Sequence, residues 1–306
     1  MSGRATYANP VFDHVAPDPS VVRDSDGVFW CYTTMTRYER RRVWAPVLRS
    51  VDLITWAFVG DALPRLPSWG HRASWAPHVE RIGDGYVMYL TVRDRANGTM
   101  QLGLAVSDRP EGPFDPFPDR LFDAEHERID ANVLVRANGE RLLYWSEENA
   151  VRVSRLSDDG LRTASGATTV LLPIGEEGTG YDSVVEAPWT IEREDAIVLL
   201  TSGDVCCTYA EPHYAVAASR ARTWTGPFER YRGNPILEST DPPFVAPGHC
   251  AVIRDDDGSD WMLYHAMRTG RLGPRVLMLD RIEWRAGWPV VGRPSSEPMP
   301  APAISR

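Results

Sequence analysis

The chain has 306 residues, 43% of them hydrophobic and 25% charged, with a formal net charge of −9. An acidic balance with a single basic run, "RYERRR" at 37–42, excludes nucleic acid as the expected partner, and no apolar run approaches the ~18 residues of a membrane span. All 33 basic residues are arginine, which removes Schiff-base chemistry, pyridoxal phosphate attachment and the P-loop lysine from consideration.

The first segment, "MSGRATYANPVFDHVAPDPS", has no apolar h-region, so a cytoplasmic location is expected. Cys31, Cys206, Cys207 and Cys250 show no metal-type spacing and read as reduced, mostly buried thiols. The first strong strand signal is "DPSVVRDSDGVFWCYTT" from Asp18: a strand, the turn Asp26-Gly27, and a second strand. The unit returns as "WAPHVERIGDGYVMYLT" from Trp75 around Asp84-Gly85, and as "DANVLVRANGERLLYWS" from Asp130 around Asn138-Gly139. It returns again as "EAPWTIEREDAIVLLTS" from Glu186 around Glu194-Asp195, and as "HCAVIRDDDGSDWMLYH" from His249 around Asp257-Gly258. Asp-Gly and Asn-Gly supply the positive φ that two-residue hairpins need; the fourth copy lacks glycine and is expected to turn differently.

A third strand follows in most copies, as in "VLRSVDLITW", "LGLAVSDRPEGPF" and "YAVAASRARTWTGPF", and the last copy has "RVLMLDRIEWRAGWP" instead. Successive copies begin 57, 55, 56 and 63 residues apart. Three or four antiparallel strands per period of that length predict a propeller blade. The expectation is an all-β, five-bladed β-propeller forming a single domain over 1–306, with 293–306 as a loose tail.

In a propeller the innermost strands surround one axis, so their leading residues should face a common cavity. Those residues are Asp18, Trp75, Asp130, Glu186 and His249. Three carboxylates around a funnel repel one another, and at least one should keep its proton near neutral pH. A protonated and an ionised carboxyl on opposite sides of a sugar are what glycoside hydrolysis requires. That role explains why the apolar run "VVEAPW" carries Glu186 at its centre.

The five segments together resemble glycoside hydrolase family 43, over about residues 9 to 292. "NPVFDHVAPDPSVVR" is similar to the family's opening motif, which implies that Asp18 is the general base. "ERIDANVLV" implies Asp130 as the carboxylate that orients the acid and tunes its pKa, and "VVEAPW" implies Glu186 as the general acid. "SWAPHV" places Trp75 in a sugar-binding position. "VAPGHCAV" places His249 at the pocket floor, with a calcium or other cation beside it in the central channel, reached directly or through water. "GPRVLMLDRIEWRAGWPVV" implies Arg275 as a substrate-binding arginine. His78 stands where the family has an acid, and Ala131-Asn132 replaces its usual proline.

The resemblance implies an inverting, exo-acting hydrolase of pentose-containing oligosaccharides, first an α-L-arabinofuranosidase, alternatively a β-xylosidase. No cofactor is expected for the chemistry. The blander readings are a sugar-binding propeller without turnover, Asp130 paired with Arg128 at the surface, and Trp75 as core packing.

Overall fold

The computed structural model describes residues 5–123, 125–175, 180–206, 213–240 and 242–305. Among the described residues the regular elements are strands, and no helix is long and apolar enough to cross a membrane. Five four-stranded antiparallel sheets follow one another along the chain, each in simple meander order. Their innermost strands are Ser20–Arg23, Gly70–Ile82, Arg128–Val135, Glu186–Arg193 and Phe244–Arg254. This is the expected five-bladed propeller.

Strand alternation explains why the blades cohere. Successive residues of a strand point to opposite faces, so each sheet has two apolar faces to cover. In the third blade Leu143 and Trp145 pack towards the second blade, against Tyr89 and Leu104. Leu142 and Tyr144, on the other face, pack towards the fourth, against Ile197 and Leu199. Similar cores lie between the first and second, fourth and fifth, and fifth and first blades. At roughly 25 cal/mol per Å² of apolar surface, these interfaces hold the ring together.

The hairpins correct the sequence reading in detail. In the first, third and fifth blades the loop has three residues, closed by Asp24, Arg136 and Asp255 N–H groups donating to Val28, Glu140 and Ser259 carbonyls. Gly27, Gly139 and Gly258 then take the positive φ that follows a type I turn. In the second blade Ile82 pairs with Gly85, so the turn is Gly83-Asp84. The fourth blade keeps a two-residue turn without glycine, Glu194 carrying a φ of 51°.

The C-terminal segment is not loose. Met299–Pro300 pairs with Thr6–Tyr7, Ala301 is buried, and Ala303 N–H donates to Asp255 Oδ2 at 3.0 Å. Nearby, Val11 and Ala16 N–H groups donate to the carbonyls of Leu277 and Arg275 in the last blade, each at 2.9 Å. Both chain ends are thereby fastened across the join between first and last blades.

Candidate active site

At one end of the axis each inner strand carries, or in the first blade closely follows, a non-glycine residue at positive φ: Asp18 (55°), Ala76 (42°), Asp130 (59°), Ala187 (51°) and His249 (47°). In the second to fifth blades a break in strand register accompanies it. This backbone conformation is unfavourable without glycine and persists where its surroundings fix it. A recurring hydrogen bond does so. Ala76 N–H donates to Thr34 Oγ1 (2.8 Å), Asp130 N–H to Thr91 Oγ1 (3.1 Å), His249 N–H to Ser202 Oγ (2.8 Å) and Asp18 N–H to His265 Nδ1 (3.2 Å). Each acceptor is the last residue of the preceding repeat. The fourth seat breaks the pattern: Ala187 N–H donates to Asp130 Oδ2 at 3.1 Å, and Ser146 Oγ, which would complete the series, is buried without a partner.

The ring surrounds a cavity of about 340 Å³. All six residues singled out by sequence, Asp18, Trp75, Asp130, Glu186, His249 and Arg275, line it. The repeat is the reason: residues dozens of positions apart head equivalent strands and so converge on one axis.

Asp18 is 9% exposed and strongly held. Arg275 Nη1 donates to its Oδ1 at 2.7 Å and Thr34 Oγ1 to its Oδ2 at 2.5 Å, with His265 Nδ1 3.2 Å and His249 Nδ1 3.6 Å from Oδ1. Burial alone would raise this carboxyl; Arg275 and then the two imidazoles outweigh it and keep it well below the usual carboxylate range. Burial lowers both imidazoles, His265 to about 4, so near neutral pH the standing positive charge is that of Arg275.

Asp130 goes the other way. Burial first, then the charges of Glu186 and Asp18, push it well above the ordinary value, against the opposing Ala187 N–H and Arg275. No ion pair involves Asp130 among the described residues; Arg128 bonds Glu147 Oε2 at 2.6 Å instead, which disposes of the surface-pair reading. The Asp130 carboxyl therefore keeps its proton to higher pH than an isolated carboxyl would, with the neighbouring Glu186 charge the largest cause after burial. Glu186 is fixed from both sides of its own backbone: Val185 N–H donates to Asn149 Oδ1 at 2.8 Å, and Ala187 N–H to Asp130. Its Oε1 accepts from Tyr214 Oη at 2.6 Å. Gly248 makes room for the Tyr214 ring, which a Cβ there would strike.

Sequence reasoning missed Tyr214, Thr34, His265 and Cys206. Thr34 and His265 were legible as the polar residues ending their repeats; Tyr214 was legible only by comparison with Arg275, which holds the matching third-strand place in the last blade. Cys206 corrects the all-thiol reading. It is disulfide-bonded and lines the cavity, whereas Cys31 and Cys250 are buried free thiols; Cys207 lies outside the described residues. Trp75 is half-buried with the Arg93 guanidinium 5.9 Å from its ring centre, so it belongs to the cavity wall rather than to a blade interface. His78 sits deeper along its strand, buried, edge-on to Trp189 at 5.3 Å, with neither ring nitrogen hydrogen-bonded. Burial lowers it to about 3, so it fills the channel as a neutral ring.

Among the described residues no group of three or more His, Cys, Asp or Glu side chains is arranged to hold a metal. His249 and His265 offer nitrogen where calcium takes six to eight oxygens, so these side chains do not form a calcium cage by themselves.

The family model Glycosyl hydrolases family 43 matches residues 7–289. The chain is 26% identical to the "Probable arabinan endo-1,5-alpha-L-arabinosidase A" of Aspergillus flavus, over 93% of this chain and 94% of that protein. It is 27% identical to the "Non-reducing end alpha-L-arabinofuranosidase BoGH43B" of Bacteroides ovatus, over 94% of this chain but 54% of that longer protein. A solved structure described as a thermostable family-43 glycoside hydrolase superposes with a TM-score of 0.85 at 27% identity, covering 98% of this chain and all of that one.

Proposed function

Starting from a chain that belongs to glycosyl hydrolase family 43, we propose that this protein is an inverting, exo-acting α-L-arabinofuranosidase. The observation that carries the reading is the division of charge in the cavity. Arg275 keeps Asp18 ionised on one side, while the Asp130–Glu186 pair retains a proton on the other.

In this mechanism Asp18 takes a proton from water as the water oxygen bonds to the anomeric carbon. Glu186 gives its proton to the glycosidic oxygen as the bond from the anomeric carbon to that oxygen breaks. The nucleophile and leaving group lie on opposite faces of the ring, so configuration inverts. Asp130 holds Ala187, and with it the direction of Glu186, and because the two carboxyls repel, a proton that passes from Asp130 to Glu186 leaves the acid loaded beside a single charge. Trp75 offers an apolar face to the sugar, and Arg275 and His249 reach its hydroxyl groups from the floor. No cofactor enters the chemistry.

A cavity of about 340 Å³ suits one glycosyl unit with its waters, which supports release from a chain end. Two relatives are named for arabinose-containing substrates, which supports arabinose as the glycone. The second reading, a β-xylosidase, uses the same residues on a pyranose ring.

The test is a comparison of aryl α-L-arabinofuranoside with aryl β-D-xylopyranoside, with the first-formed product anomer followed by NMR. Preference for the arabinofuranoside, inversion, and a loss of at least about 10²-fold in Glu186→Ala are expected. Retained configuration ends the role given to Asp18. Full activity in Glu186→Ala ends the role given to Glu186, and no activity of the native protein on any glycoside reduces the molecule to a sugar-binding propeller.

A further inference from the structure

Beside the catalytic cavity lies a second one of about 480 Å³, between the third and fourth blades. The two share Ile129 and Glu186, so the second begins at the residue that protonates the leaving oxygen. In the mechanism above the departing group leaves on the Glu186 side, whereas water arrives from Asp18. We propose that this groove is the leaving-group subsite, and that it takes a neutral, hydroxyl-rich sugar and rejects an acidic one. The assignment rests on the hydrolase reading and refines its substrate.

Three observations support it. The groove is walled by Glu125, Glu127, Glu147 and Glu148. The nearby arginines are already paired, Arg128 with Glu147 and Arg152 with Glu147 and Glu148, and His126 Nδ1 lies 2.9 Å from Glu148 Oε1. Carboxylate oxygens accept from sugar hydroxyls, and the same charges oppose a uronate. Second, Ser146 lines the groove while its hydroxyl, 4% exposed as a residue, has no partner. It is the one member of the backbone ring whose donor went to Asp130 instead, so a buried polar group is left over beside the acid. Third, the wall is rigid. Glu148 and Asn149 form a tight turn at φ of 52° and 57°, and Asn149 Nδ2 donates to Ser183 O at 3.0 Å, tying that turn to the segment that leads into Glu186.

The test uses the full chain and two glycosides with the glycone preferred in the assay above, a 4-carbamoylphenyl and a 4-carboxyphenyl leaving group, together with a neutral disaccharide. The neutral aryl glycoside is expected to exceed the anionic one in kcat/KM, and Glu148→Arg to raise the relative rate of the anionic one about tenfold or more. Glu148→Ala, at an exposed position, and His126→Ala, at a half-buried one, should lower kcat/KM for the disaccharide at least about fivefold more than for the neutral aryl glycoside. An unchanged anionic-to-neutral ratio in Glu148→Arg overturns the proposal, as does equal loss on disaccharide and aryl substrate. Failure of the native protein to hydrolyse either aryl glycoside would refute the hydrolase reading itself, and this subsite with it.

Discussion

Replacing Arg275 by methionine keeps most of the side-chain volume and removes the permanent cation that touches Asp18. The pair is 2.7 Å apart with side chains 19% and 12% exposed. At that distance an effective dielectric constant of about 20 gives an attraction of about 6 kcal/mol. Desolvation offsets part of this, and removing one partner of such a pair costs about 3–5 kcal/mol. In the native protein Asp18 is held below its unfolded value, so its stabilising contribution is complete above about pH 4 and is lost as pH falls through the lowered value. Without Arg275, burial is the largest influence left and the sign reverses: the unpaired carboxyl costs stability when ionised and recovers it on protonation. Two readouts follow. The acidic limb of kcat/KM should move upward by at least about one pH unit, equivalent to ~1.4 kcal/mol. The fall in melting temperature should be larger at about pH 8 than at about pH 5, because only the lower pH lets the carboxyl neutralise. An unmoved limb together with the same melting loss at both pH values would refute the pairing as the source of the charged base.

Asp130→Asn keeps an acceptor for Ala187 N–H but loses the titrating carboxyl beside Glu186; kcat should fall about 10²-fold or more with little change in melting temperature. Equal loss for leaving groups of high and low basicity would contradict its action through the acid. Asp280 is pushed up to about 7 by burial, against hydrogen bonds from Tyr264 and Asn9. Ionising it therefore costs the fold up to about 4 kcal/mol, and stability should decline as pH rises from about 4 through 7. Asp280→Asn should flatten that decline and melt higher than the native protein above pH 7, whereas parallel melting curves would exclude the effect. Cys31 and Cys250 are at most 1% exposed and burial raises both thiols, Cys250 to about 12. Neither should react with a thiol reagent in the native protein. Unfolding without reductant should release these two, and a count of four would contradict the disulfide at Cys206.

The fold was legible because it is written five times. One strand-turn-strand unit is ambiguous, but five with nearly constant spacing fix both the blade and the axis. The same regularity made Asp18, Asp130 and Glu186 readable as neighbours, since a position repeated in every blade is a position on one ring. Turn lengths were less readable: Asp-Gly fits a two-residue loop and the end of a three-residue loop equally, and only pairing such as Arg23 with Phe29 decides. The terminal segment misled through its prolines, which suit a strap as well as a disordered tail when a partner such as Asp255 awaits. Tyr214 was missed because its importance comes from one bond across the cavity, and along the sequence only its match to Arg275 in the last blade points to it.

Asp18 belongs to the first blade, whereas Arg275, His265 and His249 belong to the last. The charge state of Asp18, the proposed base, is thus set across the seam where the circle is closed, beside the Ala16–Arg275 bond and the paired strands Thr6–Tyr7 and Met299–Pro300. A molecule that gaped there would go silent with all its sheets intact, so turnover doubles as a gauge of whether the circle is shut.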